Sequence, residues 1–159
     1  MGELFRTPPM AVLPEWIDFN GHLNMAYYSV LFDRSADAGF AALGLGPDYA
    51  KTRRHTTYTA EFHISYVREL HVGDTVWGTF QLIDYDAKRP HTYQELFHAD
   101  GWLAAAAETL SLHVDMAGPK VASFLPDIAE KVAAMQAGHA DLPRPARAGR
   151  SIGIRRASL

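Results

Sequence analysis

The sequence contains no cysteine. That absence removes disulfide staples, thiolate zinc ligands and a thiol nucleophile together, and it accords with a reducing, cytoplasmic setting. Charge of one sign is also scarce. Fifteen Lys and Arg stand against 18 Asp and Glu, for a formal net charge of −3, so the chain has no electrostatic case for nucleic acid or an anionic membrane as partner. No apolar run approaches the roughly 20 residues that span a bilayer. The stretch from Met1 to Pro9 lacks the charged-then-apolar order of a secretory leader. No Gly-rich dinucleotide fingerprint and no Gly-x-Ser-x-Gly elbow occurs, so neither a nicotinamide cofactor nor a serine hydrolase is expected. The eight histidines invite a metal reading. Asp18 and His22 are four apart, but Asn20 and Gly21 between them argue against a helical ligand pair, and no third ligand stands at metal-binding spacing. No cofactor and no metal are expected.

What is present is an ordinary globular composition. The 159 residues, 48% hydrophobic, suffice for one domain with a sizeable core. Met10 to Ile17 reads as a first strand that Pro14 confines to an edge or ends early. After the turn-rich Asp18 to His22, residues Asn24 to Leu43 read as a long helix. Tyr28, Phe32, Ala36, Gly39, Phe40 and Leu43 form its stripe, Ser29, Asp33 and Asp37 lie on another face, Asn24 is the N-cap, and Gly44 is the stop. Ala36 and Gly39 allow the helix to lie close against a sheet. The period then changes to two: Tyr58, Ala60, Phe62, Ile64 and Tyr66 alternate with polar neighbours. Strands are predicted at Thr75 to Tyr85, His91 to His98 and Trp102 to Val114, the last against the helical propensity of its alanine run. Pro126 opens a helix to about Ala137. The expected organisation is a domain over residues 1–138 and an irregular, mobile Pro/Arg-rich tail over 139–159. One long helix against a curved antiparallel sheet makes a two-layer α+β fold.

The run Trp16-Ile17-Asp18-Phe19-Asn20-Gly21-His22-Leu23-Asn24-Met25 resembles the active-site signature of hot-dog fold acyl-CoA thioesterases of the hydroxybenzoyl-CoA type. Ser65-Tyr66-Val67-Arg68 with Gly73-Asp74, and Asp100-Gly101 through Asp115, are similar to that family's second strand and last hairpin. The likeness extends over Met10 to Met116. More narrowly, Asp86 to His91, Glu95 to Gly101 and Leu112 to Asp115 resemble betainyl-CoA thioesterases of carnitine degradation. The resemblance implies a single hot-dog domain, hydrolysis of an acyl-CoA thioester, and a homodimer or dimer of dimers with its sites at the subunit boundary. A broad short-chain or aromatic acyl-CoA thioesterase is the alternative, as is a non-catalytic module that binds acyl-CoA.

Thioester hydrolysis needs a group that attacks or activates water, and donors for the charge that develops on the carbonyl oxygen. The thiolate leaves readily, because a thiol pKa is roughly 8.5. By resemblance Asp18 is the nucleophile or the base, the Met25 N–H polarises the carbonyl, and Asn24 caps the helix or orients the substrate. From its spacing alone Asp18 reads as an ordinary carboxylate near a helix start, held ionised by unpaired helix amides, and it is the resemblance that turns this into a catalytic role. Gly21 permits close backbone approach. His22 either meets substrate or packs its loop. Glu61 and His63 share a strand face, either as an active-site group lent to a neighbouring subunit or as a solvated face. For a quaternary ammonium acyl group, Trp16, Tyr27, Tyr58, Tyr66 and Trp102 are candidate aromatic contacts. Arg68, Lys88 and Arg89 are candidates for the CoA phosphates, and Arg144, Arg147, Arg150, Arg155 and Arg156 form a charged tail.

Overall fold

The period-two pattern downstream of residue 54 becomes four long antiparallel strands, and the helical stripe before it becomes the rod they wrap. The computed structural model describes residues 4–158. Met1 to Glu3, where the segment read for a leader begins, and Leu159, the last tail residue, lie outside the described residues. The elements in chain order are β1 (Phe5–Arg6), β2 (Met10–Ala11), a 3₁₀ turn (Pro14–Trp16), α1 (Met25–Ala42), α2 (Pro47–Arg53), β3 (His55–Tyr66), β4 (Thr75–Tyr85), β5 (Pro90–His98), β6 (Leu103–Asp115), β7 (Lys120–Val121) and α3 (Pro126–His139). The sheet runs β1-β4-β5-β6-β3, with β2 on β4 and β7 on β6. This is the hot-dog arrangement.

Helix α1 starts where its cap dictates. Asn24 keeps an extended backbone and its side chain accepts the Ala26 N–H, while Gly44, at φ +76°, closes the other end in a conformation that favours glycine. One face of α1 buries Tyr28, Leu31 and Phe32 in a cluster with Ala104, Ala105 and Ala107 of β6. The alanine run is a strand because it is paired on both sides, with β5 and with β3, and the two ladders outweigh a weak helical preference. The close approach expected from Gly39 is present: a Cβ there would stand 2.3 Å from the Phe80 ring of β4. Gly78 reciprocates on the sheet side, where a Cβ would meet Ser35 Oγ at 2.3 Å.

Four expectations are corrected. The first strand is only Met10–Ala11, because Pro14 opens a 3₁₀ turn before Ile17. Gly46-Pro47 does not merely break the chain but begins α2, with Pro at the first turn and Asp48 beside it. In β3 the alternation slips at Ala60, where the pairing passes from Thr59↔Ser111 to Glu61↔Leu110. That bulge puts Tyr58, Glu61 and His63 on the outer face and leaves Phe62, Ile64 and Tyr66 on the helix side. The tail is irregular but not detached. Gly149 donates to Glu108 Oε2 at 2.7 Å and Gln81 Nε2 donates to Pro143 O, so the tail crosses the outer face of the sheet.

Candidate active site at the start of helix α1

The loop from Ile17 to Leu23 is pinned at both ends, by an Ile17↔Leu23 bridge and by the Asn24 N–H donating to Trp16 O at 2.9 Å. Between them Asp18 turns a tight loop: its carbonyl accepts from Gly21, which takes φ +82°, and its N–H donates to His22 O. The Asp18 carboxylate is therefore half-exposed and fixed by two donors, Asn20 N–H to Oδ1 at 2.8 Å and Asn24 Nδ2 to Oδ2 at 2.9 Å. These hold it below the usual carboxylate range, with the Asn20 backbone donor the largest cause and the Asn24 amide adding to it. The expectation that bare helix amides keep Asp18 charged is corrected. The loop's own N–H and the cap side chain do so.

Asn24 thus has two partners at once. Its Oδ1 caps α1 and its Nδ2 holds Asp18. The first-turn amides of Ala26 and Tyr27 are occupied by Asn24 Oδ1 and Asn24 O, while Met25 N–H takes part in neither contact. Tyr66 braces the same turn by donating to Met25 O at 3.0 Å and meeting Tyr28 edge-on at 5.1 Å. A half-exposed carboxylate held below the usual range and the first amide of α1 are therefore gathered at one spot. A carbonyl set there would be polarised on one side and approached from the other.

A groove begins one turn further along. Met25, Ser29, Asp33 and Asp37 form an i, i+4 row on α1, and the last three line a cavity of about 460 Å³ between the helix and the sheet. Its floor is polar although it lies in the sheet interior: Thr92, Gln94 and Ser111 are 1%, 2% and 2% exposed. Phe32 and Phe62, edge-on at 6.1 Å, and Phe40 supply aromatic walls. Among the described residues no Lys, Arg or His lines it. Burial pushes the Asp37 carboxyl up, and the neighbouring Asp33 adds to this.

The predicted residues divide by location. Asp18, Gly21, His22, Asn24, Met25 and Tyr66 gather around the start of α1. Trp16 is buried, stacked on Tyr27 at 5.8 Å with the Arg34 guanidinium over its ring, so it forms a wall beneath the loop. His22 lies edge-on to His71. Arg68 stands 4.0 Å over Trp102, which in turn stacks on His98 at 4.5 Å. Tyr58, Glu61 and His63 face away from α1, and Glu61 and His63 line a second cavity with Arg150 of the tail. Lys88 and Arg89 sit in the β4–β5 loop, beyond the far end of α1 from Asp18 in the same chain, and Arg89 is paired with Asp86. Sequence reasoning missed the exposed Phe19 beside Asp18 and the groove itself. The groove's signal was a row of Thr, Gln and Ser at alternate positions in otherwise apolar strands. Among the described residues no group of three or more His, Cys, Asp or Glu is disposed to hold a metal, and no helix is long and apolar enough to cross a membrane.

Residues 12–132 match the family described as the thioesterase-like superfamily. The chain belongs to that superfamily. It is 35% identical over 155 residues to the betainyl-CoA thioesterase of Pseudomonas aeruginosa, covering 97% of this chain and 98% of that one. It is 34% identical over 142 residues to the L-carnitine dehydrogenase/betainyl-CoA thioesterase of Rhizobium meliloti, covering 89% of this chain and 28% of that longer protein. Among solved structures, the hypothetical protein SAV2348 from Staphylococcus aureus in complex with CoA superposes with a TM-score of 0.89 at 26% identity, over 98% of each chain. A putative thioesterase from Pseudomonas putida gives 0.81 at 29% identity, over 97% of this chain and 99% of that one. The thioesterase is a hydrolase with the hot-dog fold.

Proposed function

We propose that this acyl-CoA thioesterase hydrolyses betainyl-CoA to glycine betaine and CoA, with Asp18 as nucleophile or general base. The observation that carries the reading is the Asn24–Asp18 hydrogen bond, which ties an ionised carboxylate to the cap of α1 beside the Met25 N–H. As base, Asp18 takes a proton from a water that attacks the carbonyl carbon. The carbonyl oxygen gains negative charge against the Met25 N–H, and collapse expels the CoA thiolate. As nucleophile, Asp18 attacks the same carbon, collapse of the adduct breaks the C–S bond and expels the CoA thiolate to leave a mixed anhydride, and water then cleaves that anhydride to regenerate the carboxylate and release the acid. The acyl group is suggested by the relative at 35% identity and by a groove that carries carboxylates and aromatic rings without a side-chain cation.

The working unit is proposed as a homodimer. Among the described residues strand β3 is paired only with β6, which leaves its other edge open, and Phe62, Tyr66 and Val67 of that strand region, with Met25 and Phe19, are exposed apolar groups. Antiparallel pairing of two β3 edges would set the His55 end of one copy against the Tyr66 end of the other. Lys88 and Arg89 of the second copy then approach the Asp18 mouth, while Arg68 serves the CoA phosphates from the first.

The test is CoA release, followed with a thiol reagent, on betainyl-, acetyl-, butyryl- and benzoyl-CoA. Betainyl-CoA is expected to give the highest kcat/KM. Equal or faster turnover of the neutral esters refutes the substrate, and no release from any of them refutes the enzyme. Asp18→Asn is expected to lower kcat by at least about a hundredfold with the fold retained. Unchanged turnover in that variant removes Asp18 from the chemistry.

A further inference from the structure

Three hydrogen bonds join the end of β3 to Asp18 in one unbroken line. Tyr66 Oη donates to Met25 O at 3.0 Å, and the N–H of that same peptide, on Ala26, donates to Asn24 Oδ1 at 2.9 Å. The other end of the Asn24 amide, Nδ2, donates to Asp18 Oδ2 at 2.9 Å. Every link has one polarity. A peptide carbonyl only accepts, a peptide N–H only donates and an ionised carboxylate only accepts. Turning the Asn24 amide over would set donor against donor and oxygen against oxygen, so its orientation is fixed. Two planar amides therefore lie between the phenol and the carboxylate, each receiving at its oxygen and giving at its nitrogen. In such a series each donor strengthens the next, by about 10–30% per bond. The Asn20 N–H serves the other oxygen of Asp18 and stands outside the line.

The phenol end is well anchored. Tyr66 closes β3, paired with Ala105 of β6, and its ring meets the buried Tyr28 edge-on at 5.1 Å. Burial pushes its hydroxyl up from the ordinary phenol value, so it keeps its proton, and remains a donor, wherever Asp18 titrates. The carbonyl it meets belongs to the peptide whose N–H the Asn24 side chain accepts. A hydroxyl placed on the next carbonyl would brace the turn as well but miss the line.

From this geometry we infer that Tyr66 is a positioning residue for the hydrolysis, acting on the Asp18 carboxylate through the Met25–Ala26 peptide and the Asn24 amide. The inference rests on the reading of Asp18 as nucleophile or base, and it holds for either role. Polarised in series, the Asn24 amide grips the ionised carboxylate more firmly than an isolated amide would. A strand distant in the chain thereby sets the charge state and the aim of a carboxylate that the loop carries.

The test is the pH dependence of kcat/KM for the wild type, Tyr66→Phe, Asn24→Ser and the double variant, with thermal melts beside it. The substrate is whichever of the four CoA esters above the wild type hydrolyses fastest, so the outcome does not depend on the acyl group. Tyr66→Phe keeps the ring against Tyr28 and removes only the donor. It is expected to lower kcat/KM about two- to fivefold and to move the acid limb up, in the same direction as Asn24→Ser and by less. In the Asn24→Ser background the line is already cut before Asp18, so adding Tyr66→Phe should move the limb no further. A hydroxyl that only braces the turn would lower Tm and leave the limb in place. An unmoved limb in Tyr66→Phe, or a shift of the same size with and without Asn24, therefore overturns the inference. Turnover that survives Asp18→Asn, or a wild type that hydrolyses none of the esters, overturns the reading of Asp18 and this inference with it. Turnover lost in Asp18→Asn beside an unmoved limb in Tyr66→Phe overturns only the role of Tyr66.

Discussion

Replacing Asn24 separates helix capping from the chemistry of Asp18, because the two duties belong to different atoms of one amide. Oδ1 receives the Ala26 N–H at 2.9 Å, and Nδ2 donates to Asp18 at 2.9 Å. Asn24→Ala loses both. An N-cap is worth about 1 kcal/mol, which corresponds to a fall of roughly 2–4 °C in Tm for a domain of this size. Asn24→Ser keeps a comparable cap, since Ser and Asn rank together at this position, but its short hydroxyl does not reach Asp18. Its Tm is expected to stay near that of the wild type, while kcat/KM drops roughly tenfold to a hundredfold as the carboxylate loses its orientation. The pH profile carries the mechanism. Asp18 is held below the ordinary carboxylate range partly by the Asn24 amide, so the acid limb of kcat/KM in Asn24→Ser should move up toward that range. In Asn24→Asp the cap survives, but a second carboxylate faces the first, and the limb should move up further. Thermal melts beside pH–rate profiles on one substrate check all three variants. An Asn24→Ser enzyme with full activity and an unmoved acid limb would refute Asn24 as the residue that positions Asp18.

Gly39→Ala should cost about 1–3 kcal/mol in urea unfolding, because its Cβ would enter the Phe80 ring at 2.3 Å and either the ring or α1 must give way; a variant as stable as the wild type would mean that this contact is slack. Stability should also fall as the pH drops below 6.5. Burial depresses His113, which donates from Nδ1 to Ala122 O and accepts the Tyr49 hydroxyl at Nε2, and burial likewise depresses His139, whose Nδ1 accepts the Leu82 N–H. Both rings are neutral in the folded protein. Their stabilisation is complete above the unfolded His value of about 6.5 and is lost as the pH falls through their lower folded values. Asp37 and Glu95, whose carboxyls are raised by burial, act in the opposite sense closer to the carboxylate range. Unfolding free energies that rise steadily from pH 7 to pH 5.5 would contradict the neutral-histidine assignment.

Wherever the determining interactions were local, the sequence carried them. The cap at Asn24, the stop at Gly44, the small residues facing the sheet and the limits of β4 depend on neighbours within a few positions, or on one unbroken period. The same holds for Asp18, whose bonds to Asn20 and Asn24 close within a single loop. The alternation in β3 looked equally local, yet its two halves, before and after Ala60, do not share one phase. A bulge leaves no mark in composition and reveals itself only in the pairing with β6, where one extra residue puts Thr57 and Thr59 on the same face as Phe62 and leaves Tyr58 outside with Glu61 and His63. The short helix at Pro47 and the crossing of the tail over Gln81 and Glu108 were hidden for a related reason. Each depends on partners far away in the chain.

By itself the sequence determined that one amphipathic helix must be wrapped by antiparallel strands, and that a carboxylate stands just before that helix. Periodicity and capping act over a few residues, so both could be read directly. Only the tertiary structure decided which side chains share a space. It gathered Ser29, Asp33 and Asp37 from the helix with Thr92, Gln94, Thr109 and Ser111 from two strands into one groove, and sent Lys88 and Arg89 beyond the opposite end of α1. Strand order and register set those meetings, and they arise from hydrogen bonds between segments distant in the chain, which no local pattern encodes.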